Sequence, residues 1–115
     1  MNDDSVPAPT RDIQNLKSDG LPLFSLGVVV ATPGALALLQ KHGVSAATLL
    51  RRHQCGDWGD LSADDRAAND RAVRDGSRIL SAYMVVDEKI WVITEAVAGA
   101  GLGRPSTCTL LPKEY

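Results

Sequence analysis

No stretch of this 115-residue sequence is apolar for long enough to cross a bilayer as a helix. The longest such run, Gly27 to Ala31 with its neighbours, falls far short of the ~18 residues that a span needs. Nor is there a surplus of positive charge: 12 Lys and Arg stand against 14 Asp and Glu, interleaved along the chain, for a net charge of -2. Grip on nucleic acid through counterion release is therefore not expected. The start, Met1-Asn2-Asp3-Asp4, has no basic region followed by an apolar one, which argues against a secretory signal and leaves the cytoplasm as the expected location. Only two cysteines occur, and a reducing compartment predicts that both are thiols. Cys55, beside Gly56, reads as the more exposed of the pair, and Cys108 reads as part of a strand. No Gly-x-Ser-x-Gly elbow or Ser-His-Asp order is present to support nucleophilic catalysis.

What is present suits one small domain. With 44% hydrophobic and 23% charged positions, the chain can bury a single core. Residues 1–20 carry Pro7, Pro9 and scattered charges without period and read as a disordered tail; the domain is expected over residues 21–115. The β-branched run Val28-Val29-Val30 predicts a short strand. Thr32-Pro33 is a helix start, with a hydroxyl to accept a backbone N–H and proline in the first turn. That helix should reach His42, with Gly43 free to take the left-handed conformation after it. Ser45 opens a second helix ending in Arg51-Arg52-His53, positive charge where the helix dipole is negative. Ser62, with Asp65 three residues on, opens a third, Ala63 to Asp75, with little but alanine and Val73 to bury. From Arg78 the period changes. Arg78–Val86, Lys89–Glu95 and Ser106–Leu111 read as strands, the first two joined tightly at Asp87-Glu88. The expectation is an α+β fold: an N-terminal strand, three helices, then a three-stranded antiparallel meander, with the helices on one face of the sheet.

The chemically richest stretch is His53-Gln54-Cys55-Gly56-Asp57-Trp58-Gly59-Asp60-Leu61, between two helices. His53 and Cys55 are spaced His-x-Cys, which does not match a zinc knuckle. The acids Asp57, Asp60, Asp64 and Asp65 lack calcium-loop spacing and suit a helix N-terminus. No metal and no cofactor is assigned. Trp58, with Gly56 two residues before it and Gly59 directly after, either plugs the core at a turn or forms a flat contact surface. As a contact it would act with Asp57 and Asp60. Gly99-Ala100-Gly101-Leu102-Gly103 is glycine-rich, but a strand rather than a helix follows it, so it reads as a mobile hairpin loop rather than a dinucleotide cradle. Arg104, next to Ser106 and Thr107, could bind an anion.

Gly56-Asp57-Trp58-Gly59-Asp60-Leu61, Leu80-Ser81-Ala82-Tyr83, Ile90 to Ala96 and the ending Leu110-Leu111-Pro112-Lys113-Glu114-Tyr115 resemble a family of small bacterial proteins carried on plasmids and integrated elements, labelled plasmid-related or hypothetical proteins. The resemblance spans residues 24–115. Its members carry a short Ala-Asp-Arg-Ser turn after the Thr-Glu, where this chain has the longer loop Ala96 to Pro105. The resemblance implies a mobile-element setting and carries no defined activity.

Two functional classes follow. The first is a non-catalytic accessory that binds another protein through the Trp58 loop and the exposed face of the third helix. The second is a metal-independent ribonuclease in the style of the barnase and RelE toxins. In that reading His53 is the general base, Arg104 stabilises the phosphorane, and Tyr83 or Thr107 positions phosphate. Fold analogy is a weak warrant for activity, and the charge balance ranks this second. Oligomeric state is open at this stage.

Overall fold

Three hydroxyls start three helices. A computed structural model describes residues 20–99 and 101–115; the tail expected over residues 1–20 lies outside the described residues apart from Gly20. Thr32 Oγ1 accepts from Ala35 N (3.2 Å) at the start of α1, Pro33–Lys41. Ser45 Oγ accepts from Ala47 N (3.2 Å) before α2, Ala46–Gln54. Ser62 Oγ accepts from Asp65 N (3.1 Å) before α3, Ala63–Asp75, which Gly76 closes with a left-handed φ of 85°. Each hydroxyl satisfies one of the N–H groups that a first turn leaves without a partner.

The strands are β1 (Val28–Ala31), β2 (Ile79–Val85), β3 (Glu88–Thr94) and β4 (Ser106–Leu110), followed by a short 3-10 turn, Pro112–Glu114. The α+β class holds, but the three-stranded antiparallel description is corrected. The sheet has four strands in the order β1-β4-β3-β2, and it is mixed, because β1 pairs with β4 in parallel. The remaining pairings, β2 with β3 and β3 with β4, are antiparallel. Parallel pairing needs a long crossover, which the three helices between β1 and β2 supply. The hairpin turn also differs by one residue: Val85 pairs with Glu88, so Val86 and Asp87 form it, with Val86 at a φ of 60°. A β-branched residue in that region is strained and gives no turn signal in the sequence, which is why the connection reads one residue late.

The helices cover one face of the sheet. Ala35, Leu38 and Leu39 of α1 and Leu49 of α2 pack on Tyr83, Val85, Ile90, Val92 and Leu111, the larger core. Beside it, Trp58, Ala72 of α3 and Ile79 form a second cluster with Phe24, Leu61 and Val73. α3 buries less alanine than its sequence suggests, and its inward residues are Asn69 and Ala72. The C-terminal turn ties the opposite end of the chain to α1. Glu114 accepts from Thr32 Oγ1 (2.5 Å), Leu111 N (2.9 Å) and Gly34 N (3.0 Å). These bonds, the Thr32 hydroxyl first, hold its carboxyl below the usual carboxylate range.

Candidate functional site

His53 sits on the last turn of α2 and points into the sheet, fully buried. Its Nδ1 lies 2.6 Å from Ser81 Oγ on β2 and its Nε2 2.8 Å from Thr94 Oγ1 on β3. Thr94 Oγ1 lies 2.7 Å from Thr107 Oγ1 on β4, and Thr107 Oγ1 donates to the Leu26 carbonyl (2.8 Å), just ahead of β1. This chain of bonds has one direction. Thr107 spends its only proton on Leu26, so it accepts from Thr94; Thr94 has then spent its own and accepts from His53 Nε2–H. Burial first, and the Arg104 charge second, push His53 down to about 3, so the ring is neutral. A neutral ring protonated on Nε2 leaves Nδ1 as an acceptor, and Ser81 donates to it. One histidine and three hydroxyls thus bind α2, β2, β3, β4 and the approach to β1 together, with every proton assigned.

The aromatic residues close this spine from above. Phe24 meets the His53 ring edge-on (5.2 Å) and lies nearly parallel to Trp58 (6.3 Å), which is itself 6.0 Å from His53. Trp58 is 2% exposed and donates its indole N–H to Asp70 Oδ1 (3.0 Å). As a plug, Trp58 has its polar end satisfied; as a flat contact surface it has no exposed ring to offer. The glycine beside it serves the fold: a Cβ on Gly59, at a φ of 78°, would run into the Ala82 carbonyl oxygen.

The other residues proposed for phosphate chemistry are committed elsewhere. Tyr83 is buried, its hydroxyl donates to the Asp57 carbonyl (2.6 Å), and burial raises its pKa beyond the ordinary phenol value. Arg104 is also buried, and it donates to three carbonyls, Ser77 (2.7 Å), Glu95 (3.1 Å) and Ala72 (2.9 Å). Its guanidinium covers the Phe24 ring at 5.5 Å. It is a clamp joining the end of α3 to the C-terminal end of β3, a positive charge at the negative end of a helix, rather than an open anion site. His53, Thr107 and, through Ser81, the strand of Tyr83 do come together, but inside the core and out of reach of a nucleic acid. The loop between β3 and β4 is tied by Val97 N to Gly76 O (2.8 Å) and Ala98 N to Gly103 O (3.0 Å).

At the surface, Asp57 and Asp60 separate. Asp57 is half-buried, bonded to Arg52 Nε (2.7 Å) and Gly59 N (3.3 Å), while Arg52 lies over the Tyr83 ring at 4.5 Å. Asp60 is exposed and faces Lys89 at 3.8 Å. Arg52, Asp57, Asp60, Tyr83 and Met84 line one shallow, open hollow. The exposure expected of the cysteines is reversed: Cys55 is buried and Cys108 is partly exposed, both as free thiols. Cys55 caps the end of α2, whereas Cys108 lies on the sheet face that carries no helix. Among the described residues no three metal-ligating side chains cluster, and no helix is long and apolar enough to cross a membrane.

Sequence reasoning passed over Ser81, Thr94 and Asn69. A usable signal existed. Ser81, Thr94, Thr107 and Thr109 occupy the inward parity of their strands among Ile79, Tyr83, Ile90 and Val92, and polar groups there must find internal partners. No family model, no curated protein and no solved structure matches this chain.

Proposed function

We propose that this chain is a non-catalytic protein-interaction module, an accessory of the mobile-element type that the motif resemblance implies, with another polypeptide as partner. One observation carries the reading. Each side chain assigned to phosphodiester cleavage in the ribonuclease reading, His53, Tyr83, Arg104 and Thr107, is buried and bonded to internal partners. A general base must reach the proton that it removes, and a base held neutral by burial beneath two aromatic rings has no path to a bound substrate. Exposed surface is instead apolar along β1 and mixed in charge along α3.

The test is incubation of the purified chain with total RNA, first without metal and then with Mg²⁺. No cleavage above that of a mock purification is expected. Cleavage that follows the protein through two unrelated chromatographic steps would sink the non-catalytic reading and return the ribonuclease to the front.

A further inference from the structure

The two edges of the sheet differ. β2 is an edge strand whose outward groups are covered at Leu80 and Ala82, leaving only Met84 by the hairpin turn: Ala82 N donates to Trp58 O (3.1 Å), Asp60 N donates to Ala82 O (2.6 Å), and the Asn69 amide bonds Leu80 O and Leu80 N (2.8 and 3.3 Å). At the other edge, Val28 N and Thr32 N donate inward to Pro105 O and Thr109 O, which turns the N–H and C=O of Val29 and Ala31 outward. Among the described residues nothing bonds to them. Unpaired edges in monomeric proteins are blunted by lysine, proline or a bulge. This one reads Val-Val-Val-Ala.

The valines are 66, 46 and 49% exposed, and they alternate in face: Val28 and Val30 lie with Ser106 and Cys108 on the helix-free side, Val29 with Thr107 on the helix side. A partner laid on either face would cover only some of them. A strand added beside the edge covers all three.

We infer that β1 pairs antiparallel with β1 of a second copy of this chain, about a two-fold axis at Val30, to join two four-stranded sheets into one of eight strands. This rests on the interaction-module reading and names its partner. The register follows from the backbone. Centring on Val30 places Val29 opposite the second copy's Ala31, so both outward residues of each copy exchange N–H···O bonds, four in total. Centring on Val29 would call on Gly27, whose φ of 66° takes it out of the strand. Extension past Ala31 is stopped by Pro33, which has no N–H. Antiparallel pairing about a two-fold axis is also isologous: the same edge of both copies is used, and the contact closes at two. Charge points to a second copy as the occupant. Residues 20–40 contain no Asp, Glu, Lys or Arg, so two such segments meet without like-charge repulsion, as the cores of interfaces do.

The test is mass by sedimentation equilibrium of the full chain from micromolar to near-millimolar concentration. A species of twice 12.2 kDa is expected to form with rising concentration. Val30→Lys and Val30→Glu each place like charges face to face across the axis and should weaken dimerisation by about tenfold or more, while their equimolar mixture restores it. Val29→Pro, which removes only an outward N–H, should weaken it as well. A wild-type chain that stays monomeric throughout would overturn the inference, as would a dimer that ignores Val30→Lys or a mixture that fails to pair. None of these results bears on RNA cleavage, so self-pairing can fail while the non-catalytic reading stands, and the reverse.

Discussion

The sealed edge of the sheet and the bare one show two ways of ending a β-sheet. At β2 the chain spends the loop between α2 and α3: Trp58 and Asp60 bond Ala82, Gly59 bridges to it, and Asn69 reaches from α3 to Leu80. At β1, among the described residues, three valines and the outward N–H and C=O of Val29 and Ala31 have no cover. Both strands pair correctly on their inner sides, so the contrast lies only in what stands outside them. Where a fold has the means to seal an edge and uses it on one side only, the open side is the place to look for a partner.

The sharpest way to break the comparison is to unseal β2. Gly59→Val sets a β-branched residue at a φ of 78° and drives its Cβ into the Ala82 carbonyl. The loop must lift, and the Trp58 plug lifts with it. A loss of about 4 kcal/mol in unfolding free energy is expected in urea titration, near the upper end for single substitutions. If stability changes by less than about 1 kcal/mol, the loop is not what seals that edge.

Acid tests the spine that connects the two edges. His53 titrates at about 3 when folded against an ordinary 6.5, so the unfolded chain binds a proton that the native one refuses. The contribution is therefore complete above pH 6.5 and is lost progressively as pH falls toward 3. By pH 4.5 the loss should be on the order of 2–3 kcal/mol, read as a falling midpoint in urea. Glu114 and Asp75, both held low by hydrogen bonds, begin to add their own loss only below about their ordinary 4.5 and 3.8, so the window between 4.5 and 6.5 isolates the histidine. A flat profile there would mean that the imidazole can be charged in the folded chain and that the proton directions assigned to Ser81, Thr94 and Thr107 are wrong.

That spine also marks where the sequence stopped being legible. Thr32, Ser45, Ser62 and Gly76 could be read at once because a cap is decided within four residues. The parallel register of β1 on β4 joins residues such as Val28 and Ser106 across the whole domain, and no local pattern encodes it. His53-Gln54-Cys55 looked like an exposed reactive run because its composition is polar. Its burial depends on Phe24, Ser81 and Thr94, which lie far from it in sequence and supply a covering ring and the two hydrogen-bond partners. The inward parity of Ser81 and Thr94 was available in the strands, and would have sent His53 to the core once the sheet was drawn.

The mildest perturbation sharpens the comparison most, because it separates the two sides of one strand. Val28 and Val29 are neighbours in the same uncharged run, yet Val28 N bonds Pro105 O while Val29 N points out of the sheet. Proline removes an N–H from either position. At Val28 it deletes a ladder bond and sets a proline after Gly27, whose left-handed backbone disfavours that sequence, so a loss of about 2 kcal/mol is expected. At Val29, measured at concentrations where the chain is monomeric, the change should stay within about 0.5 kcal/mol of zero, because no intramolecular bond is lost. Raising the concentration should then separate Val29→Pro from the wild type, since only the wild type gains stability by pairing. If Val29→Pro instead costs as much as Val28→Pro in the dilute monomer, the outer side of β1 is already held by the chain itself, and the two edges are sealed alike.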